Sequence, residues 1–181
     1  MKEFVILVDQ NDQPIGTAEK MDAHRQGLLH RAFSVFIFDP QGRMLVHQRA
    51  FEKYHSGGLW TNACCSHPRP NEDVQAAAHR RLGEELGFDC PLEKQFSFIY
   101  RVELTKDGLI EHKFDHVFFG THSGVIHHNK NEVAATAWVE LDTLATDVVQ
   151  NPHKYTYWFT VVFKQVLEHA RSYCNQKIQN S

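Results

Sequence analysis

The first fifty residues alternate apolar runs with polar turns, a pattern typical of paired strands. Phe4–Val8 is a short apolar run that predicts a strand, ended by the polar turn Asp9–Asp12. Arg31–Asp39 is rich in aromatic and β-branched residues and predicts a second strand. The turn Pro40–Gly42 then predicts that this strand forms a hairpin with a third strand, Met44–Gln48.

A change to helical spacing follows near residue 72. The apolar positions of Glu72–Leu86 recur every three to four residues and so predict one buried helix face. Asn71 is predicted to cap the helix at its start, and Gly87 to end it in a left-handed conformation. The residues of the predicted buried face are Val74, Ala77, Ala78, Leu82 and Leu86.

The second half of the chain predicts three strands and two helices. The first two strands should form a hairpin through the turn Lys106–Gly108, and Asp142 should cap the first helix. Mixed strands, long hairpins and a central helix predict an α+β sandwich of helix, sheet and helix layers, in one domain over residues 1–181. The predicted elements are strands Phe96–Leu104, Leu109–Gly120 and Ala135–Leu141, and helices Asp142–Gln150 and Tyr155–Asn175.

Composition and charge exclude several classes of function. The 181 residues carry a net charge of −3 with neutral histidines, so neither a nucleic-acid partner nor a polybasic membrane anchor is expected. No apolar run approaches the ~20 residues that a membrane-spanning helix needs. The first apolar run is too short for a signal peptide. We therefore expect a cytoplasmic protein, and we also expect it to be a monomer.

The four cysteines, Cys64, Cys65, Cys90 and Cys174, show no disulfide spacing and are expected to be reduced thiols. A vicinal disulfide between the adjacent pair is a less favoured alternative. In an extended segment, Cys64 and Cys65 point to opposite sides, so only one of them can face a site.

Several residues have the chemistry of metal ligands. Glu85 and Arg81 lie one helical turn apart, and a helix carboxylate can hold Mg²⁺. From the residues alone, a solvated charged face is the favoured explanation. The set His24, His30, His67 and Glu111 would suit a transition metal or Mn²⁺. Their spacing alone is also compatible with ordinary surface histidines.

Two motifs resemble those of a known family. The first runs from Trp60 to Pro68 and contains Thr-Asn-x-x-Cys-x-His-Pro. The second begins at Glu72 and continues after seven residues as Arg-Arg-Leu-Gly-Glu-Glu-Leu-Gly-Phe, close to a Nudix box. Together they resemble type 1 isopentenyl diphosphate isomerases, a branch of the Nudix superfamily. Ser66 stands where the box has Gly and Arg81 where it has Glu, so a carboxylate for the metals of a Nudix hydrolase is missing.

The resemblance implies a Nudix-type α/β/α sandwich with a mixed sheet, and interconversion of isopentenyl and dimethylallyl diphosphate. It implies Mg²⁺ bound with the diphosphate and a second divalent metal, Mn²⁺, Zn²⁺ or Mg²⁺, at the histidines. The implied catalytic residues are Cys65, Glu111, Tyr100 and Lys113. The implied substrate-binding residues are Lys20, Arg49, Lys53, Arg81 and Trp158, with Trp60 as a further candidate wall of the pocket. The implied metal ligands are His24, His30, His67, Glu111, Glu85 and Cys65.

Lys113 departs from the family pattern, because the second Glu of the family's strand motif is expected there. A lysine ammonium cannot bind a metal and repels one nearby. Three arrangements are expected as alternatives. Lys113 pairs with Glu111 in place of the metal, or it binds the metal as a neutral amine, or it turns away while Asp115 assists.

Two other functions remain open. A Nudix hydrolase would cleave a diphosphate, but Arg81 in the box argues against it. A non-catalytic relative would bind a prenyl diphosphate without turnover, because Lys113 would neutralise the site without a metal.

Overall fold

The computed structural model describes residues 2–53, 55–104 and 108–179, which form nine strands and four helices. The strands are β1 (Phe4–Val8), β2 (Pro14–Glu19), β3 (His30–Phe38), β4 (Met44–Arg49), β5 (Trp60–Thr61), β6 (Cys64–Ser66), β7 (Leu92–Leu104), β8 (Leu109–Thr121) and β9 (Val133–Val139). The helices are α1 (Lys20–Gln26), α2 (Val74–Leu86), α3 (Leu141–Gln150) and α4 (Tyr157–Gln179).

The described strands form one mixed sheet with two branches. Strand β3 pairs with β4 only at Phe38 and Met44, as expected for a hairpin that then splays apart. Beyond this point β3 pairs in parallel with β8 and in the antiparallel sense with β6. Strand β4 pairs instead with β5 and β9. The space between the two branches is where the candidate site lies.

Helices cover both faces of the sheet. Side chains alternate along β3, so Phe36 and Phe38 pack toward α3 and α4, whereas Phe33, Val35 and Ile37 pack toward α2. Both clusters exclude water almost completely. The predicted sandwich of helix, sheet and helix layers with a mixed sheet is therefore confirmed.

The start of α2 differs from the sequence prediction. The helix begins at Val74 and is capped by Asp73, whose carboxylate accepts hydrogen bonds from the backbone N–H groups of Gln75 and Ala76. Asn71 has a φ of 65° and belongs to the preceding turn, so the prediction that it caps the helix was wrong. Gly87 ends the helix in the left-handed conformation, as predicted, and a Cβ there would collide with the carbonyl oxygen of His127.

Other helix and strand boundaries also differ from the sequence predictions. The polar segment before His30 contains β2 and α1, which hydrophobic patterning did not reveal. Asp142 lies inside α3, which follows Glu140 without a side-chain cap, and α4 begins at Tyr157 after a single 3₁₀ turn at Pro152–Lys154. Lys106 and Asp107, part of the predicted hairpin turn, lie outside the described residues. Among the described residues, no helix has the length and apolarity to cross a membrane.

Candidate active site

The adjacent residues Cys64 and Cys65 of β6 point to opposite faces of the sheet. Cys64 pairs with Val35 and is buried in the core beside α2. Cys65 pairs with Ser34 and lines a cavity of about 60 Å³ between the two sheet branches. Strand alternation therefore selects Cys65 as the thiol that faces the cavity. All four cysteines are free thiols.

Polar neighbours hold the Cys65 sulfur in a fixed position. The Sγ atom lies 3.1 Å from Oδ1 of Asn62 and 3.3 Å from Oγ of Ser34. Burial raises the pKa of the Cys65 thiol to about 12, although both hydrogen bonds favour the thiolate. The side chain is thus a protonated thiol at neutral pH. Its hydrogen bonds orient it toward these neighbours rather than toward the histidine cluster.

Three imidazoles converge beside this cavity. His24, His30 and His67 offer ligand nitrogens that all lie within 4.8 Å of one another. His24 donates its Nδ1–H to the backbone carbonyl of Lys20 at 2.7 Å, and His30 donates its Nδ1–H to that of Leu28 at 2.8 Å. These hydrogen bonds place the ring proton on Nδ1 and leave Nε2 of both rings unprotonated, which is the tautomer of a metal-binding histidine.

The protonation state of the cluster also suits a metal ligand. Burial lowers the pKa of His30 to about 3 and holds that of His67 well below its usual value, with the Lys113 ammonium as a further cause in both. The rings of His30 and His67 are therefore neutral at pH 7. Nε2 of His30 and Nε2 of His67 lie 3.2 Å apart. Neutral, oriented imidazoles are what a divalent transition metal requires.

Glu111 adds a carboxylate to the three imidazoles. One of its oxygens lies 3.3 Å from Nε2 of His24, and its side chain is fully buried. Neither that oxygen nor His24 Nε2 has a hydrogen bond of normal geometry, although buried polar atoms nearly always have one. His24 Nε2 and the Glu111 oxygen are thus two neighbouring buried atoms that could both bind one cation. The set of three imidazoles and one carboxylate therefore fits a divalent metal.

Lys113 contacts the same carboxylate. Its Nζ lies 2.5 Å from the second oxygen of Glu111 and 5.6 Å from the centre of the Trp158 ring. Burial disfavours ionisation of Glu111, but the Lys113 ammonium and His24 hold the pKa of the carboxyl well below its usual value. Of the three alternatives for Lys113, the one in which it turns away was wrong. Asp115 instead accepts a hydrogen bond from Ser34 at 2.8 Å.

Tyr100 and Trp158 are both neighbours of Lys113. Tyr100 pairs with Lys113 across the hairpin. Burial raises the pKa of the Tyr100 hydroxyl well above its usual value, and the nearby charges of Glu111, Asp115 and Cys65 raise it further. Trp158, at the start of α4, is 4% exposed, and its Nε1–H donates to Oγ1 of Thr61 at 3.2 Å.

The two tryptophans near the site differ in position. Trp158 lines the cavity, whereas Trp60 packs against the core cluster between the sheet and α4. Trp60 is not among the described residues that line the cavity, so its position supports a role in core packing rather than as a cavity wall.

Basic side chains surround the mouth of the cavity. Lys20 pairs with Glu3 at 2.7 Å, and Lys53 pairs with Glu132 at 2.6 Å. The Arg49 guanidinium lies over the Trp158 ring at 5.3 Å. Counting every lining residue of the described chain, five basic and two acidic side chains border this cavity, an excess that suits an anion.

The end of α2 supplies the carboxylate that sequence reasoning assigned to Mg²⁺. Glu85 is buried and pairs with Arg81 at 2.5 Å, one helical turn away as predicted. Burial raises the pKa of Glu85, while Arg81 opposes that change. Both residues line the cavity. Arg81 also donates to Glu84 at 2.8 Å, so it is held firmly at the helix end.

Several lining residues were missed by sequence reasoning. His55 lies 3.6 Å from Glu111, in a segment without strand or helix periodicity, and burial lowers the pKa of its ring to about 3. His47 donates its Nδ1–H to the carbonyl of Ala63. Glu132 lies 3.8 Å from Arg81. Only alternation along β4 could have pointed to His47, and no local signal pointed to the other two.

Comparison with known proteins agrees with this geometry. A model of the NUDIX domain family matches residues 28–159. The chain is 52% identical to "Isopentenyl-diphosphate Delta-isomerase 2" of Aromatoleum aromaticum over 167 residues, covering 92% of this chain and 88% of that protein. It is 53% identical to the protein of the same name from Photorhabdus laumondii over 159 residues, covering 88% of this chain and 89% of that one.

Solved structures of more distant proteins share the fold. The crystal structure of DR0079 from Deinococcus radiodurans superimposes with a TM-score of 0.76 at 17% identity, over 90% of this chain and 98% of that one. At that identity the likeness shows the fold alone. The family match and the far higher identity to the curated relatives go further: the chain belongs to the Nudix superfamily and, within it, to the isopentenyl-diphosphate Delta-isomerase family.

Proposed function

We propose that the chain interconverts isopentenyl diphosphate and dimethylallyl diphosphate. The observation that carries this proposal is the convergence of Cys65, His67, Lys113 and Trp158 on one cavity that is rich in basic side chains. Relatives named for this isomerase, about half identical over most of the chain, support the same activity. The substrate is therefore a small prenyl diphosphate.

The basic side chains hold the diphosphate. Lys20, Arg49, Lys53 and Arg81 supply point charges and two guanidinium forks, which suit phosphate oxygens. Lys20 and Lys53 must exchange their present carboxylate partners for the substrate. Mg²⁺ bound by Glu85 would neutralise further charge on the diphosphate when present.

The reaction moves one proton onto the substrate and another off it. Protonation of the double bond gives a tertiary carbocation, and loss of a proton from the neighbouring carbon places the double bond in its new position. Cys65 exchanges a proton on one side of the carbon chain, and Glu111, supported by Tyr100, exchanges one on the other side. A divalent metal on His24, His30, His67 and Glu111 would fix that carboxylate and neutralise its charge.

Trp158 protects the cation. Its ring face stabilises a desolvated cation by about 2 kcal/mol. The bulk of the ring also excludes water, which would otherwise add to the cation and end the reaction. The hydrogen bond to Thr61 keeps the ring in place.

The pairing of Lys113 with Glu111 favours one alternative, a protein that binds the prenyl diphosphate without turnover. An assay with ¹³C-labelled isopentenyl diphosphate and Mg²⁺, followed by NMR, separates the candidates. Labelled dimethylallyl diphosphate supports the isomerase, and phosphate release indicates a hydrolase. Calorimetric binding of the substrate without either product would establish the binding protein.

We further propose that the chain acts as a cytoplasmic monomer without a nucleic-acid or membrane partner. Its small net negative charge and its four free thiols support this. Size-exclusion chromatography with light scattering tests the oligomeric state, for which a mass near 21.0 kDa is expected.

A further inference from the structure

The Glu111 carboxylate contacts imidazole rings with one oxygen and Lys113 with the other, and His55 lies 3.6 Å from the oxygen on the imidazole side. One oxygen faces Nε2 of His24 at 3.3 Å, on the side of the three imidazoles. The other oxygen pairs with Nζ of Lys113 at 2.5 Å. The carboxylate is fully buried, so water cannot take the place of either partner. A cation on the imidazole side therefore shares its only carboxylate, among the residues of the cluster, with an ammonium ion.

Lys113 is held in this position by the fold. It lies two residues after Glu111 along β8, so both side chains emerge on the same face of the sheet. Its side chain is 10% exposed, and Nζ lies 2.5 Å from a Glu111 oxygen and 5.6 Å from the centre of the Trp158 ring. A positive charge close to a divalent cation repels it strongly where water is excluded.

We propose that Lys113 and a divalent metal compete for Glu111. The imidazole site then binds its metal more weakly than the same site would without this ammonium, and Lys113 supplies part of the positive charge when no metal is bound. The inference rests on the proposed function only for the identity of the site, since the competition itself follows from the distances around Glu111.

Binding of Mn²⁺ measures this competition without any substrate. Free Mn²⁺ is followed by electron paramagnetic resonance while the ion is titrated into the full chain at fixed pH. Lys113→Met removes the charge and keeps a similar volume, whereas Lys113→Arg keeps the charge. Lys164→Met, on an exposed position of α4, controls for the loss of a distant lysine. His67→Ala identifies which bound Mn²⁺ belongs to the imidazole site.

The expected order of affinity follows from charge. Lys113→Met should tighten Mn²⁺ binding by at least about tenfold, since relief of even a weak repulsion is worth that much. Lys113→Glu adds a carboxylate and should tighten it further. Lys113→Arg and Lys164→Met should bind like the parent. Thermal unfolding checks each variant, and Lys113→Gln replaces Lys113→Met if the latter does not fold.

Two results would overturn the inference. One is an affinity of Lys113→Met less than tenfold tighter than that of the parent chain, and the other is equal tightening by Lys113→Arg. Isomerase activity is measured separately. If the affinity order holds while the parent chain shows no isomerisation, the proposed function fails and the competition stands.

Discussion

The Sγ of Cys65 lies 3.3 Å from the Oγ of Ser34, its cross-strand neighbour in the sheet. Ser34 donates its own hydroxyl hydrogen to Asp115, so its oxygen is free to accept from the thiol. Asn62 offers a second acceptor at 3.1 Å. The sulfur therefore occupies one defined place on the cavity wall, set by two neighbouring strands.

Replacing Cys65 by Ala should abolish isomerisation and leave the fold intact. Removal of a group that transfers a proton costs about 10²–10⁴-fold in rate, and the partly exposed thiol contributes little to the core. Turnover by NMR and the midpoint of thermal unfolding are the two measurements. Cys90→Ala is the matched control, because Cys90 is also a partly buried thiol but lies outside the cavity. Near-normal turnover of Cys65→Ala would remove the thiol from the mechanism.

Glu85→Gln should weaken the response to Mg²⁺. The amide cannot supply the anionic oxygen that Mg²⁺ prefers, so the Mg²⁺ concentration for half-maximal activity should rise at least about tenfold. Glu84→Gln provides the control, since Glu84 is an adjacent carboxylate that also pairs with Arg81 but does not line the cavity. Equal effects of the two changes would assign both to the loss of an Arg81 ion pair rather than to metal binding.

Trp158→Leu should allow water to reach the carbocation. Addition of water to the cation gives a tertiary alcohol, a side product heavier than the substrate by one water molecule. We expect mass spectrometry to detect it. Trp158→Phe keeps an aromatic face and should form less of it. Absence of the alcohol in Trp158→Leu, with isomerisation continuing, would mean that other side chains exclude the water.

His47 should make stability depend on pH. Burial lowers the pKa of His47 from 6.5 to about 4, so between these values only the unfolded chain takes up the proton. The unfolded state then binds more protons, and stability falls as the pH falls. Between pH 6.5 and 4 the stability of the parent relative to His47→Gln should drop by about 3 kcal/mol. Urea unfolding at several pH values measures it, and a pH-independent difference would contradict the expectation.

Sequence patterns predicted the layers of the fold, because alternation and helical spacing follow from backbone geometry. Alternation also predicted that only one of Cys64 and Cys65 faces the site, but the choice of Cys65 came from the family motif. Patterns failed for β2 and α1, whose short polar stretches carry no periodic apolar face. They also failed at the start of α2, where Asp73 competes with Asn71 as the cap.

The candidate site was predictable where a motif carried it and not elsewhere. His24, His30 and His67 come together as the family pattern implied, because three separate elements meet at one end of the sheet. His55 could not be found, since its nearness to Glu111 depends on tertiary packing of a segment without periodicity. The pairing of Lys113 with Glu111 was one of three arrangements that spacing alone left open.

The register in which β6 pairs with β3 determines which of the two cysteine sulfurs faces the cavity. A one-residue slip would reverse the two thiols, sending Cys65 into the interior and Cys64 outward. Single-residue insertions or deletions between Asn62 and Ser66 should thus be as harmful as loss of the thiol itself.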